Sequence, residues 1–250
     1  MRFKEKTIVV TGAGSGIGKQ ITYDLVHEGA TVYAIGRTEE KLASLKRSSS
    51  LITNVCDISI PEDVTKLFEH LKKEGHAVTG LVNNAGINPS RNVLGNTSFD
   101  DWEKTIATNL TGVFNCSKAA LEHMISVGAG SIVNISSIAG ICALKERASY
   151  MSSKWGLVGL TQSIAIDYAK HNIRANCVCP GYVETPLVEN YLSALSDDEH
   201  EALKKSHALG RFGSIHDIAR AVLFLLSDDS SWITGVTLPV DGGYHIGRTD

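Results

Sequence analysis

A tyrosine and a lysine four positions apart, Tyr150 and Lys154, carry the clearest potential for acid–base chemistry in this sequence. They fall in a stretch of helical character, and positions i and i+4 of a helix lie on one face. The pKa of a free tyrosine is about 10, too high for a base at neutral pH. A neighbouring ammonium group favours the phenolate, so this pair would let Tyr150 act as a general acid or base. Such pairs also arise by chance, so the interpretation depends on the rest of the sequence.

A glycine-rich segment near the N-terminus points to phosphate binding. Residues 11–18 are T-G-A-G-S-G-I-G, with the spacing G-x-x-x-G-x-G through Gly12, Gly16 and Gly18. The commoner G-x-G-x-x-G pattern does not fit, because Ile17 occupies its last position. A helix is predicted to follow, and its N-terminus offers unpaired N–H groups and a positive dipole end to a phosphate. A plain strand-to-helix turn would also use glycine, but the position after the first strand favours a pyrophosphate site.

The end of the second predicted strand bears on the choice of coenzyme. Dinucleotide sites that bind NAD usually place an acidic residue there, to bind the ribose 2′-hydroxyl. This chain has Gly36, which leaves room for a 2′-phosphate, followed by Arg37, which supplies a matching charge. The alternative is a solvent-exposed arginine at the start of a charged helix. The pattern favours NADP(H) over NAD(H).

The elements that must position these residues alternate along the chain. Short β-branched runs predict seven strands, at 7–11, 31–35, 51–55, 81–82, 131–135, 173–178 and 236–240. Helical stretches lie between them, the longest at about 99–125 and 148–170. This order predicts an α/β protein with a doubly wound, mostly parallel sheet and helices on both faces, in one domain over residues 1–250. Ligands of such sheets bind at the carboxyl ends of the strands.

Composition excludes several other classes of protein. The 250 residues are 43% hydrophobic and 20% charged with a net charge of −3, which suits one large core and offers no basic surface for nucleic acid. No apolar run approaches the roughly 18 residues of a membrane span, and the charged N-terminus does not resemble a signal peptide. We therefore expect a cytoplasmic protein with a small-molecule substrate and neither nucleic-acid nor membrane partners. No His or Cys spacing indicates a metal site.

The motifs together resemble the short-chain dehydrogenase/reductase family in its form of roughly 250 residues. The resemblance covers essentially the whole chain and rests on motifs in a fixed order. These are T-G-x-x-x-G-x-G at 11–18, Asp57, N-N-A-G at 83–86, Asn109, Ser137, Y-x-x-x-K at 150–154 and P-G-x-V-x-T at 180–185. It implies a Rossmann fold and NAD(P)(H)-dependent interconversion of a secondary alcohol and a ketone, such as a polyol, sugar or hydroxy acid.

The resemblance also implies roles for individual residues. Tyr150 would exchange a proton with the substrate oxygen, and Lys154 would lower the pKa of Tyr150 and bind the nicotinamide ribose. Ser137 would hydrogen-bond the substrate oxygen, and Asn109 would position a water that relays protons past Lys154. The residues expected to bind the coenzyme are Gly12, Ser15, Gly16, Ile17, Gly18, Arg37, Asp57, Ile58, Asn84, Ala85, Gly86, Tyr150, Lys154, Pro180, Gly181, Val183 and Thr185.

The substrate is less well defined by the sequence. The resemblance implies a substrate lid at about 187–209 and a homotetramer. Arg147 lies three residues before Tyr150 and could pair with a substrate carboxylate, or instead form a structural salt bridge with Glu146 or an acidic lid residue. Two other functions stay open: reduction of a 3-oxoacyl thioester, and a nucleotide-binding sensor without turnover. The sensor is disfavoured because Asn109, Ser137, Tyr150 and Lys154 are all present.

Overall fold

A seven-stranded parallel sheet forms the centre of the protein, in a computed structural model that describes residues 1–46, 48–88 and 91–247. The strands are β1 Thr7–Thr11, β2 Thr31–Gly36, β3 Leu51–Val55, β4 Val78–Asn83, β5 Gly130–Ile135, β6 Ile173–Pro180 and β7 Thr237–Val240. Their order is β3-β2-β1-β4-β5-β6-β7, and every pairing is parallel. The predicted doubly wound Rossmann fold is confirmed.

Helices cover both faces of this sheet. In the described part of the chain they are α1 Gly16–His27, α2 Glu39–Ala43, α3 Pro61–Lys73, α4 Phe99–Ile106, α5 Gly112–Val127, α6 Ala148–Tyr168, α7 Pro186–Leu192, α8 Asp197–Lys205 and α9 Ile215–Leu226. Successive residues of a strand point to opposite faces, so Val10 packs with α1 and α9 while Val9 packs with α3 and α5. Because both faces are covered, strands such as β1 are buried along their whole length.

The long helix predicted over 99–125 is interrupted in the structure. It consists of α4, a π-helical segment at Ala107–Thr111, and α5. Asn109, at the centre of this segment, is buried and bonds to the main chain of Ile87 instead of lying on a regular helix surface. Hydrophobic periodicity did not reveal the break, since one extra residue in a turn barely alters the pattern.

The sheet brings six loops to one edge. The turns after β1 to β6 all emerge at the carboxyl end of the sheet, and strand order reverses between β1 and β4, where ligands of such sheets bind. None of the described helices combines the length and apolar character needed to cross a membrane. Residues 47, 89, 90 and 248–250 of the predicted single domain lie outside the described residues, and the domain assignment stays a prediction.

Candidate active site

A cleft of about 360 Å³ runs along the carboxyl edge of the sheet, bounded by the turns after β1 to β4. Its wall includes many of the residues predicted to bind a coenzyme. These are Gly12, Ser15, Gly16, Ile17, Arg37, Ile58, Asn84, Ala85, Gly86 and Thr185. Gly18 and Asp57, also predicted to bind the coenzyme, are not among the residues that line this cleft.

The glycines of the first turn are required by close backbone contacts. Gly12 has a φ of +65°, and a Cβ there would lie 2.8 Å from Cα of Ala85. A Cβ on Gly18 would overlap the carbonyl oxygen of Gly12. The backbone can therefore pass close to a ligand, and α1 begins directly at the cleft with Gly16. This cradle fits the pyrophosphate of a dinucleotide.

Hydrogen bonds between the turns after β1 and β4 hold the cradle in place. The hydroxyl of Thr11 accepts bonds from the backbone N–H groups of Asn84 and Ala85, both at 3.0 Å. In return, the side-chain amide of Asn84 donates to the carbonyl oxygens of Thr11 at 3.0 Å and Gly12 at 3.2 Å. The side chain of Asn84 thus fixes the glycine turn, a bracing role that the sequence motif did not reveal.

The far end of the cleft carries positive charge. The guanidinium of Arg37 is half exposed and lies 3.8 Å from the carboxylate of Asp57, whose other oxygen accepts bonds from the backbone N–H and hydroxyl of Ser59. Lys41 and Thr38 also line this end. The sequence analysis missed Lys41. Lys41 lies in the first turn of α2, so it could be assigned to this end of the cleft only once the start of α2 at Glu39 was known.

A second, smaller cavity of about 130 Å³ continues the cleft inward. The two share lining residues, among them Ile17, Gly86 and Thr185, so they form one continuous site. The inner cavity brings together predicted residues from three separate parts of the chain. These are Ser137, Arg147, Tyr150, Lys154, Pro180, Gly181, Val183 and Thr185.

Ser137 and Tyr150 meet in the inner cavity. Ser137 follows β5 in an extended conformation and shares a side-chain hydrogen bond with Tyr150. Burial raises the pKa of the Tyr150 phenol, while the hydrogen bond with Ser137 and the charge of Arg147 oppose that rise. These two neighbours stabilise the phenolate in the structure, and the effect predicted for Lys154 on the pKa of Tyr150 stays a prediction.

Lys154 lies buried beneath the Tyr150 ring, with its ammonium nitrogen 5.6 Å from the ring centroid. The ammonium donates to the carbonyl oxygen of Ile135 at 2.9 Å. Burial lowers the pKa of Lys154 to about 8, because the charged form loses water that one carbonyl does not fully replace. A buried cation with a lowered pKa next to a tyrosine is a common signature of catalytic sites.

Asn109 lies behind this group and does not line either cavity. Its side-chain oxygen accepts a bond from the N–H of Ile87 at 2.8 Å, and its amide donates to the carbonyl of Ile87 at 2.9 Å and to Ser153 at 3.2 Å. A Cβ built on Gly86 would lie 3.3 Å from the Asn109 oxygen and 3.6 Å from the Lys154 nitrogen. Asn109 thus anchors the loop after β4 beside Lys154. π-Helical turns of this kind often occur at functional sites.

The outer wall of the inner cavity includes Arg147, the α7 residues Leu187, Val188 and Tyr191 from the predicted lid, and three side chains that the sequence analysis did not identify. These three are Asn88, Leu144 and Tyr182. Tyr182 stacks on Tyr191 with ring centroids 5.9 Å apart. Nothing in the pattern distinguished Asn88, Leu144 and Tyr182 from ordinary loop positions. The predicted lid region overlaps α7 and contains α8, and the acidic residues of α8 face solvent.

Among the described residues, no cluster of three or more His, Cys, Asp or Glu side chains is placed to hold a metal ion.

Comparison with known proteins identifies the family. A family model described as enoyl-(acyl carrier protein) reductase matches residues 12–245. The chain belongs to the short-chain dehydrogenase/reductase family. It is 37% identical to 3-oxoacyl-(acyl-carrier-protein) reductase FabG of Thermotoga maritima, over 98% of this chain and 100% of that protein. It is 34% identical to cyclohexanol dehydrogenase of an Acinetobacter species, over 97% of this chain and 96% of that protein.

Solved structures agree with this assignment. A gluconate 5-dehydrogenase from Burkholderia cenocepacia, crystallised with NADP and tartrate, superposes with a TM-score of 0.92 at 34% identity, covering 98% of this chain and 97% of that one. The resemblance drawn from the motifs is therefore confirmed. This short-chain dehydrogenase/reductase is an oxidoreductase that interconverts alcohols and carbonyl compounds with a nicotinamide coenzyme.

Proposed function

We propose that the enzyme prefers NADP(H) and acts on a secondary alcohol or ketone, with Tyr150 as general acid and base. The observation that carries this proposal is the meeting of Ser137, Tyr150 and Lys154 at the inner end of a cleft with a glycine cradle. In the direction of oxidation, the hydroxyl proton of the substrate goes to the oxygen of Tyr150. A nicotinamide coenzyme held by the glycine cradle and by Val183 and Thr185 would supply the acceptor for the hydride, which carries two electrons away from the same carbon.

The neighbouring residues have distinct roles in this scheme. Ser137 donates a hydrogen bond to the substrate oxygen as charge develops on it, an interaction worth a few kcal/mol in comparable sites. The Lys154 ammonium favours the phenolate of Tyr150 and binds the nicotinamide ribose. Asn109 holds the loop after β4 and so fixes the route by which a water passes protons beyond Lys154. Pro180, Gly181, Val183 and Thr185 bind the carboxamide side of the nicotinamide.

The Tyr150→Phe variant tests the assignment. General acid–base catalysis contributes about 10²- to 10⁴-fold to turnover, so kcat should fall by that factor. The dissociation constant of NADPH, measured by fluorescence titration, should stay within about twofold, because the variant removes a single oxygen at the reacting end. Full activity in the variant would contradict the mechanism. A wild-type protein that binds NADPH but turns over no alcohol or ketone would instead be the non-catalytic sensor.

Preference for NADP(H) rests on the cations at the far end of the cleft. Gly36 brings no acidic side chain to the end of β2, and Arg37 and Lys41 place two positive charges along the wall. Arg37→Ala should weaken NADPH binding about tenfold or more and NADH binding less than twofold, because only NADPH carries the 2′-phosphate. Lys41→Ala should show the same asymmetry with a smaller loss. Equal losses for both coenzymes would remove the argument for NADP(H).

Reduction of a 3-oxoacyl thioester is the second candidate, supported by the 37% identity to the Thermotoga maritima reductase. Acetoacetyl-CoA with NADPH distinguishes the two. A kcat/KM for this thioester far above that for small ketones would favour the second candidate, whereas poor thioester turnover would favour the first.

We also propose a cytoplasmic homotetramer. Apolar side chains stand exposed on α5 and α6, among them Phe114, Trp155 and Ile166, and Ile166 is 80% exposed. Large exposed apolar groups on neighbouring helices favour association with further copies of the chain. Light scattering after size exclusion should give four times the chain mass, and Ile166→Glu should reduce it.

A further inference from the structure

We propose that Arg147 binds the carboxylate of the substrate, and that the natural substrate is a short hydroxy acid or its oxo acid. The inference rests on the proposed function, since it places the acid group beside the Tyr150 reaction centre. Four features of the inner cavity support it: its charge, the orientation of Arg147, the spacing from Tyr150 and the cavity size.

The inner cavity is positively charged. Its described lining residues include the cations Arg147 and Lys154 but neither Asp nor Glu. A third cation, Arg91, stacks on the ring of the lining residue Tyr191 at 4.9 Å. Glu146 is drawn away from the cavity toward Arg91, with the charged atoms 3.5 Å apart and both side chains over 40% exposed. Burial, and after it the charge of Arg91, lower the pKa of Arg147, and a carboxylate beside the guanidinium would stabilise its charged form.

The backbone before Arg147 is held in an unusual conformation. Glu146 has a φ of +60°, in the left-handed region that residues with a side chain rarely adopt. The carbonyl of Glu146 accepts a bond from the N–H of Asn92 at 3.2 Å, and Arg147 forms a β-bridge to the same residue. The guanidinium of Arg147 donates to the side-chain oxygen of Asn88 at 2.9 Å. The β-bridge to Asn92 and the bond to Asn88 hold Arg147 in the wall of the cavity.

Spacing and volume set the size of the acid. Arg147 is the N-cap residue of α6, three positions before Tyr150, and both side chains line the same small cavity. The cavity volume of about 130 Å³ is below the roughly 300–1,000 Å³ of sites for drug-sized ligands, and the nicotinamide proposed to lie against Val183 and Thr185 would occupy part of it. The planar guanidinium can bind a carboxylate through two parallel hydrogen bonds, and partial burial strengthens them. A short acid, with its carboxylate at Arg147 and its hydroxyl carbon beside Tyr150, fits this cavity better than a long one.

Matched substrates test the proposal directly. The wild-type enzyme would be assayed with NADP⁺ and NAD⁺ on 2-hydroxybutyrate and 3-hydroxybutyrate, on the corresponding amides, and on butan-2-ol. We expect kcat/KM for at least one acid to exceed that of its amide tenfold or more. Arg147→Gln should lower kcat/KM for the acid about 10- to 100-fold and for the amide less than threefold, since only the acid loses a charged partner. Arg147→Lys should restore part of the preference for the acid.

A binding measurement separates carboxylate binding at Arg147 from turnover. With Tyr150→Phe saturated with NADP⁺, the preferred acid should raise Tm by about 2 °C or more, and Arg147→Gln in this background should abolish the shift. Arg220→Gln, on the exposed surface of α9, is the matched control and should change neither preference nor shift.

The possible failures are distinguishable. If butan-2-ol and the amides are oxidised as well as the acids, or if Arg147→Gln lowers all substrates equally, the carboxylate assignment is wrong while the oxidoreductase mechanism stands. If none of these compounds is oxidised but the acid still shifts Tm through Arg147, the proposed reaction fails and the anion site stands. Absence of both turnover and binding of acids overturns the inference.

Discussion

The two ends of the candidate active site, the outer cleft and the inner cavity, differ in whether backbone or side chains form their walls. The coenzyme cleft is mainly backbone, with glycines packed against Ala85 and main-chain N–H groups bonded to Thr11. The substrate end is mainly side chains, contributed by Arg147, Tyr182 and the helix α7. A glycine whose backbone is in close contact with its neighbours cannot be replaced by a residue with a Cβ, whereas side chains that form a cavity wall can be substituted one at a time. One fold can thus keep one coenzyme while changing its substrates.

Lys154 lies between the outer cleft and the inner cavity, and its replacement should lower activity more than any other change proposed below. Lys154→Met should lower kcat about 10²- to 10³-fold, because the buried ammonium no longer favours the phenolate. The folded pKa is lowered to about 8 from an ordinary 10.5. The unfolded chain therefore binds this proton more tightly between those values, and the stability that Lys154 contributes rises across that pH range. Wild type should gain Tm relative to the variant between pH 8 and 10; identical pH profiles of Tm would contradict the assignment.

Gly18→Ala should break the backbone-built end. The added Cβ overlaps the carbonyl of Gly12, and overpacking of this kind costs about 1–3 kcal/mol. We expect the NADPH dissociation constant to rise about 10- to 100-fold in a fluorescence titration. Gly95→Ala is the control, because a Cβ there meets open space. A Gly18 variant that binds NADPH normally would show that the turn is more adaptable than these contacts imply.

Thr11→Val should weaken the same end more mildly. The change removes the acceptor for two N–H groups while keeping the side-chain shape, so the free energy of unfolding should fall by about 2 kcal/mol in urea titrations. Thr79→Val removes one long bond of 3.4 Å to the carbonyl of Thr7 and should cost less. Similar losses for the two variants would mean that the Thr11 bonds carry no special weight.

Tyr191→Ala should weaken substrate binding without weakening coenzyme binding, and its effect should be the smallest of these variants. Its ring stacks on Tyr182, and aromatic pairs contribute about 0.5–1.5 kcal/mol. We expect KM for the preferred substrate to rise about two- to tenfold, with NADPH affinity within twofold of wild type. A larger change in coenzyme binding than in KM would show that α7 belongs to the coenzyme end instead.

Much of this site was predictable because its motifs encode local geometry. Glycines between a strand and a helix predict a phosphate-binding turn without reference to distant parts of the chain. Tyr150 and Lys154 share a face because they are four positions apart on one helix. The resemblance then placed Ser137 and Asn109 with them. Asn88 and Tyr182 of the outer wall were not predictable, because they come from loops whose conformations depend on contacts far along the chain.

The sequence by itself determined the fold class and the family, and it predicted the glycine turn and the Tyr150–Lys154 pair, since each depends on periodicity or on short spacings. Tertiary structure alone decided that α4 and α5 are separated by a π-helical turn, that the side chain of Asn84 braces the glycine turn, and that Lys41 joins Arg37. It also decided that Glu146 pairs with Arg91 while Arg147 lines the cavity. Pairing of charges follows from which loops meet at the carboxyl edge of the sheet, and that depends on the packing of the whole domain.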